Sequence, residues 1–425
     1  MKALVVFGTR PEAVKLAPVI QELGRRRAAG APATVRVVVT GQHRELLDAM
    51  LTLFGIRPDR DLDIMRHGQG LTQVTARVLE GLEPVLQEER PDWVVVQGDT
   101  TSAFAAALAA FYARVPVAHV EAGLRTSTLW LPYPEEANRR LITRLASLHL
   151  AATPRAAANL AREGVEAAAV RITGNPVVDA LRQIAALPLR AVPDRDPEGP
   201  QGNEAAPGAG GDDALAVPAW ALAALEWLGE PGSLGILLTS HRRENWGEPL
   251  ERVCRAVLEI LQAEPRARVL FPCHPNPRVR ATAQALLGGH ERVRLTEPLG
   301  YLPFLKAMER AVLILSDSGG VQEEAPAFGR PVLVLREETE RPEAVQAGVA
   351  RLVGTDVRRI VEGARALLVT ARPGDALPGV PADDGSRGRH GFPNPFGDGR
   401  ASERIASALL GEPFEPFQPP DPPAA

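Results

Sequence analysis

The chain has 425 residues, is 45% hydrophobic and is nearly neutral, with a formal net charge of −4 and a pI near 6.1. That length suits two domains with sizeable cores, and the charge implies no general attraction for nucleic acid or an anionic membrane. Aromatic residues make up only 4%, too few for a stacking platform on single-stranded nucleic acid. Two cysteines, Cys254 and Cys273, supply neither a disulfide framework nor zinc-ligand spacing. The opening run Met1 to Phe7 reads as a strand rather than a signal peptide, and no apolar run reaches the length of a membrane span. A soluble cytoplasmic protein is expected. Basic residues are almost all arginine; the only lysines are Lys2, Lys15 and Lys306.

Strand signals alternate with helix-length segments from the start. Leu4 to Phe7 is strand-like, and Gly8-Thr9-Arg10-Pro11-Glu12 turns into a helix reaching about Arg27. Val35 to Thr40 is the next strand, followed by helices over Glu45 to Leu53 and Leu71 to Glu89. Asp92 to Gln97 reads as a buried strand ending at Gly98-Asp99-Thr100-Thr101, with an alanine-rich helix to Tyr112. Val115 to Val120 is another strand, ending at Glu121-Ala122-Gly123. Leu150 to Thr153 and Val170 to Gly174 close the first half. Such alternation predicts a parallel sheet covered on both faces, with ligand residues at the carboxyl ends of its strands.

Pro188 to Gly211 is rich in Pro, Gly, Asp and Glu and reads as a poorly ordered insertion. Ala219 to Leu228 reads as a helix leading into a second set of strands: Gly235 to Thr239, Val269 to Pro272, Val293 to Leu295. Helices are expected over Pro249 to Ala263 and Tyr301 to Arg310. The apolar run Ala311 to Leu315 is a further strand, stopping at Ser316-Asp317-Ser318-Gly319-Gly320. Those glycines predict a tight turn that admits a phosphate, before a helix from Gln322 and a strand over Pro331 to Leu335. Leu352 to Gly354, a helix over Asp356 to Ala371, a loop insertion over Gly374 to His390, a helix over Ala401 to Leu410 and a frayed Pro-rich tail from Pro413 complete the chain. The expected partition is a first Rossmann-like domain over 1–184, a linker over 185–232, a second over 233–371, and a terminal region over 372–425. Two βα domains facing a cleft is the expected architecture.

Three carboxylates are expected at one face: Asp99 and Glu121 after adjacent strands, and Glu135 (or its neighbour Glu136) at a helix start, with Arg139 one turn later. Like-charged carboxylates in a partly dry site push their pKa values apart and supply an acid and a base near neutral pH. His241, followed by Arg242 and Arg243, suits phosphate binding or proton transfer. Arg10, Lys15 and Arg341 are candidate anion ligands, and Glu324 suits sugar hydroxyls. Cys273 beside His274 has no oriented third group and reads as a buried thiol.

These motifs together resemble the non-hydrolysing UDP-N-acetylglucosamine 2-epimerases: Gly8-Thr9-Arg10-Pro11-Glu12-Ala13 with Lys15, Gln42-His43-Arg44-Glu45, Gly98-Asp99-Thr100-Thr101, Glu121-Ala122-Gly123-Leu124-Arg125-Thr126, Pro134-Glu135-Glu136-Ala137-Asn138-Arg139, His241-Arg242-Arg243-Glu244-Asn245, Asp317 to Pro326, and Thr339 to Ala344. The resemblance implies a glycosyltransferase-B-like α/β fold of two Rossmann-like domains and a homodimer. It also implies cofactor-free interconversion of UDP-N-acetylglucosamine and UDP-N-acetylmannosamine, with no metal. By the same resemblance Asp99, Glu121, Glu135, Arg139 and His241 are catalytic. Arg10, Lys15, His241, Ser318, Gly319, Gly320, Glu324 and Arg341 hold UDP, with Phe304 against uracil. Gln42, His43, Arg242 and His274 match an effector region, where Gly68 stands in place of an arginine found in some members. A hydrolysing epimerase, a glycosyltransferase on the same fold and a UDP-sugar sensor are the competing readings.

Overall fold

The protein is described from a computed structural model covering residues 1–41, 44–66, 68–192, 216–369 and 394–420. The described residues form two compact units, one of Met1–Ala180 with Phe396–Pro419, the other running from Leu181 to Pro395.

The first unit alternates strand and helix: β1 (Lys2–Phe7), α1 (Arg10–Ala28), β2 (Thr34–Val39), α2 (Arg44–Leu53), β3 (Arg60–Asp61), α3 (Leu71–Glu89), β4 (Trp93–Gln97), α4 (Thr101–Tyr112), β5 (Val117–Ala122), α5 (Glu135–Leu145), β6 (Leu148–Ala151), α6 (Pro154–Arg162) and β7 (Val170–Ile172), with α7 (Pro176–Ala185) leading out of it. Its seven strands are parallel in the order β3-β2-β1-β4-β5-β6-β7. Helices cover both faces, so β1 and β4 are largely apolar runs, and they and β5 are buried along almost their whole length. Val74, Val78 and Leu82 of α3 and the alanines of α4 pack against Leu4, Val6, Val94 and Val96. Small residues on α4 let α3 and the sheet approach closely.

The second unit begins with a two-stranded parallel ribbon, β8 (Arg190–Val192) beside β9 (Ala216–Pro218). It continues as α8 (Ala219–Leu228), β10 (Leu234–Thr239), α9 (Glu248–Ala263), β11 (Ala267–Pro272), α10 (Pro277–Leu287), β12 (Val293–Thr296), α11 (Tyr301–Arg310), β13 (Leu313–Ser316), α12 (Gly319–Glu324), β14 (Val332–Val334), α13 (Pro342–Gln346), β15 (Ala350–Leu352) and α14 (Val357–Leu368). Its parallel sheet runs β12-β11-β10-β13-β14-β15. Leu250, Val253, Val257 and Ile260 of α9 fill one side of β10, β11 and β13, the i, i+3, i+4 stripe of an amphipathic helix.

In both sheets the strand order reverses once, between β1 and β4 and between β10 and β13. Loops leaving the carboxyl ends of two such strands diverge to opposite sides and leave a crevice for a ligand. The four loops at those positions carry Gly8-Thr9-Arg10, Gly98-Asp99-Thr100, Ser240-His241-Arg242 and Asp317-Ser318-Gly319.

Several expectations are corrected. Residues 413–420 are not frayed, and residues 396–419 belong with the first unit. Phe417 is 2% exposed, its N–H donates to the Ile172 carbonyl at 3.0 Å, and the tail thereby covers the edge strand β7. α15 (Ala401–Leu410) lies on α1, where Arg26 donates to the Glu403 carbonyl and the Ser407 hydroxyl, both at 2.9 Å. The expected insertion over 188–211 contains the ribbon strand β8; residues 193–211, and the whole of 374–390, lie outside the described residues. Gly319 and Gly320 form the first turn of α12 rather than a turn ahead of it. Helices α6, α7 and α10 were not anticipated. α7, for example, is ten residues long, with Val177-Val178 in its first turn mimicking a strand.

Candidate active site

In the first unit a buried carboxylate ties the crevice together. Glu12, 1% exposed, accepts from the Gly8 and Thr9 N–H groups at 3.0 and 2.7 Å and from the Thr100 hydroxyl at 2.7 Å. It therefore clamps the loop after β1 to the loop after β4. Burial raises its pKa, against the lowering effect of these hydrogen bonds. Thr100 also caps α4 by accepting from Ala103 N–H at 3.0 Å.

Asp99 stands on that second loop with a side chain 27% exposed, and Arg139 Nη1 donates to its Oδ2 at 2.6 Å. Arg139 comes from α5, where its Nε also meets Glu136 Oε2 at 3.0 Å. Glu136 is fully buried, accepts from Arg140 at 2.7 Å and takes the Thr126 N–H at 3.2 Å. The two candidate acids Glu135 and Glu136 differ in their surroundings. Glu136 is a framework acid inside an arginine pair, and Glu135 is its half-buried neighbour at the first position of α5.

Glu121 lies inside β5 rather than after it. The β5–β6 register shifts between Val120 and Ala122, and Glu121 takes φ 62°, a conformation costly for a residue with a side chain. Its carboxylate, 5% exposed, accepts from Lys15 Nζ at 2.6 Å, from Asn175 Nδ2 at 2.8 Å and from the Gln97 amide. Lys15, expected among the UDP ligands, is thereby an ion-pair partner of Glu121. Arg10 heads α1 at the same crevice. Beneath Asp99, His119 on β5 donates from Nε2 to the Gly98 carbonyl at 2.7 Å. Burial drives the His119 pKa down to about 3 and that of its cross-strand neighbour His149 to about 4. Both rings are neutral.

The second unit repeats the device. Asp317, with no exposed surface, accepts from Ser240 Oγ at 3.0 Å, His241 Nδ1 at 2.9 Å, Asn245 Nδ2 at 2.9 Å and the backbone N–H groups of His241 and Arg242 at 3.1 Å. Burial pushes its pKa up, but these donors more than offset it and leave it below the ordinary carboxylate value. Asp317 thus clamps the loop after β13 to the loop after β10, and His241 keeps its ring about half exposed, 48%. Arg242 Nε also donates to the Asp317 carbonyl at 3.0 Å.

Ser318 precedes α12, and Gly319 is overlain by Arg341, whose Nη1 is 3.2 Å from where a Cβ would sit. Gly320 is open to solvent. Arg341 is aimed by Glu323 Oε1 at 2.7 Å, and Thr339 Oγ1 donates to Gln322 Oε1 at 2.6 Å. Glu340 is held down to about 2: burial raises it, and Arg336 and Arg341 overcome that. Glu324 Oε1 accepts from the Tyr301 hydroxyl at 3.0 Å, and Phe304 is one turn after Tyr301 on α11. The second unit therefore brings His241, Ser318, Gly319, Gly320, Glu324 and Arg341 to one end of its sheet. With the Arg341 guanidinium, the Ser318 hydroxyl and the start of α12, this end of the sheet suits a diphosphate, and Glu324 a ribose.

Of the effector candidates, Arg242 is on the Asp317 loop and His274 follows β11 with its ring 5.9 Å from Trp246. Gln42 and His43 lie outside the described residues. Cys273 is a buried thiol with its pKa pushed up to about 11 by burial. Among the described residues no group of three or more His, Cys, Asp and Glu is arranged to hold a metal, and no helix is long and apolar enough to cross a membrane. The sequence reading missed Gln97, Asn175 and the clamping roles of Glu12 and Asp317. Asp317 left a signal, an acid closing a fully apolar strand; Asn175 left none.

A family model described as UDP-N-acetylglucosamine 2-epimerase matches residues 26–198 and 222–410. The UDP-N-acetylglucosamine 2-epimerase of Escherichia coli (strain K12) is 46% identical over 409 residues, covering 96% of this chain and 98% of the relative. Among solved structures, the Neisseria meningitidis UDP-GlcNAc 2-epimerase bound to UDP-GlcNAc is similar with a TM-score of 0.77 and 40% identity, covering 97% of this chain and all (100%) of that one. A Methanocaldococcus jannaschii UDP-GlcNAc 2-epimerase in complex with UDP-GlcNAc and UDP gives a TM-score of 0.70 at 30% identity, over 97% of this chain and 100% of that one. The two parallel-sheet α/β units are of the glycosyltransferase-B-like class. By sequence along nearly its whole length and by fold, this chain belongs to the UDP-N-acetylglucosamine 2-epimerase family.

Proposed function

We propose that the protein is a non-hydrolysing UDP-N-acetylglucosamine 2-epimerase, interconverting UDP-N-acetylglucosamine and UDP-N-acetylmannosamine in the cytoplasm as a homodimer and supplying cell-surface polysaccharide precursors. A carboxylate removes the C2 proton, the C1–O bond breaks with its electrons going to UDP, and a C1=C2 bond forms, giving 2-acetamidoglucal. Protonation of C2 on the opposite face and return of the UDP oxygen to C1 complete the inversion. The route is redox-neutral and atom-balanced and calls for no cofactor.

The observation that carries this reading is Glu121, a buried carboxylate kept beside the Lys15 ammonium at 2.6 Å at the carboxyl end of the sheet. With Asp99 against Arg139 at 2.6 Å and Glu135 on α5, it offers more than one proton-transfer group, as an inversion through a flat intermediate requires. His241, Ser318, Gly319, Gly320 and Arg341 are assigned to the diphosphate, where they stabilise charge on departing UDP. Glu324 is assigned to the ribose, and Phe304 to the uracil.

Proton NMR of UDP-N-acetylglucosamine in D2O with the purified protein tests it. Deuterium at C2 together with UDP-N-acetylmannosamine is the expected result. Free N-acetylmannosamine with UDP would mean a hydrolysing enzyme, and unexchanged substrate would overturn the epimerase reading.

A further inference from the structure

Glu121 accepts from Lys15, Gln97 and Asn175, and neither Gln97 nor Asn175 has a place in the chemistry just described. Asn175 sits between β7 and α7, and its Nδ2 donates to Glu121 Oε1 at 2.8 Å, the oxygen that also takes Lys15. The other end of the same amide is occupied: Asn175 Oδ1 accepts from Val177 N–H at 3.1 Å, capping the first turn of α7. A flip of the amide would set two oxygens together at Glu121 and two donors together at Val177, so the NH2 group faces the carboxylate. Asn175 is 1% exposed.

Its backbone is set by a segment more than 200 positions later. The Asn175 N–H donates to the Phe396 carbonyl at 2.7 Å. A Cβ on Gly397 would stand 3.2 Å from the Asn175 carbonyl and 3.1 Å from Val178 Cγ2. Asp179, one turn further along α7, accepts from Ser402 N–H at 2.8 Å and caps α15. The stretch Gly174 to Asp179 is thus docked onto the returning C-terminal segment while one of its side chains reaches the carboxylate.

We propose that Asn175 is a positioning residue for the epimerisation, holding the Glu121 carboxylate in its reactive orientation, and that the C-terminal return at Phe396–Gly397 sets Asn175 in turn. The proposal rests on the reading of Glu121 as a proton-transfer group. A carboxylate displaced by about 1 Å from its reacting geometry costs on the order of 100-fold in rate, with no loss of nucleotide binding.

Capping and positioning make opposite predictions for Asn175→Asp. Aspartate caps a helix as well as asparagine does, so a purely structural role leaves kcat unchanged. Positioning requires a donor, and Asp instead sets an acceptor and a like charge against Glu121. The expected result is a kcat about 100-fold lower, with KM and UDP affinity within about threefold and a correspondingly slow C2 deuterium exchange. Asn175→Ser, which caps equally but is too short to reach Glu121 and adds no charge, serves if the aspartate variant does not fold, and the same loss is expected. Either folded variant turning over within about threefold of the parent overturns the proposal. Glu121→Gln separates the two layers. An active Glu121→Gln removes the underlying reading, whereas an inactive Glu121→Gln beside an active Asn175→Asp removes only the role of Asn175.

Discussion

At the scale of single residues, the molecule uses buried acids for two different jobs. Glu12, Glu136 and Asp317 are clamps: each is saturated with donors from the chain itself, so none has an oxygen free for chemistry. Asp99 and Glu121 instead meet a charged donor, Arg139 and Lys15 respectively, each at 2.6 Å, and Glu121 accepts from Asn175 and Gln97 as well. Asp317→Ala leaves the N–H groups of His241 and Arg242 without their acceptor, and a stability loss of about 3–5 kcal/mol is expected in urea unfolding. UDP binding is lost with it, because the His241 loop is no longer tied to the start of α12. Unchanged UDP affinity in a folded Asp317→Ala protein would refute the clamp.

At the scale of elements, β5 and β6 carry a liability that predicts the pH behaviour. His119 and His149 are register partners, neutral in the folded protein with pKa values near 3 and 4, below the ordinary histidine value of 6.5. The unfolded chain binds protons at these rings between those limits and the folded chain does not. Their contribution is therefore full above about pH 6.5 and is lost as pH falls toward 3 to 4. At pH 5 the expected loss approaches about 2 kcal/mol per ring. Urea midpoints at pH 7.5 and pH 5 check this, and the pH sensitivity is expected to diminish in His119→Asn. A midpoint independent of pH over that interval would mean the rings are charged in the folded state. The same sheet holds Gly123, where φ is 92° and a Cβ would fall 2.3 Å from the Ala156 carbonyl, so α6 can pack only on a glycine there.

At the scale of the whole molecule, the proposed roles divide between the units. The residues proposed for the diphosphate, ribose and uracil, His241, Phe304, Ser318, Gly319, Gly320, Glu324 and Arg341, belong to the second, and the proposed proton-transfer carboxylates belong to the first. UDP is therefore expected to raise the thermal midpoint, with a stabilisation of about 2.7 kcal/mol at 100 times its dissociation constant. Arg341→Ala is expected to remove most of that shift, and Glu121→Gln to keep it while abolishing turnover. Loss of the UDP shift in Glu121→Gln would contradict the division.

Much of this was legible in the sequence. The apolar strand runs, the Gly and Asp punctuation after them and the βα alternation announce parallel sheets, because a strand buried on both faces has to be apolar throughout. The order of motifs along the chain marks Asp99, Glu121, His241, Ser318 and Arg341 as strand-end residues, and the structure puts each at the carboxyl end of a strand or at the start of the helix that follows. What the tertiary structure alone decided is which of them are partnered with what. Lys15 and Glu121 are 106 positions apart, and Asn175 reaches Glu121 across 54. The Pro-rich stretch 413–420, read locally as frayed, is ordered because Phe417 finds a bare strand edge 245 residues earlier, at Ile172. Composition and periodicity report forces that act within a few residues. Carboxylate partners and edge coverage depend on long-range register, which exists only once the sheet has formed.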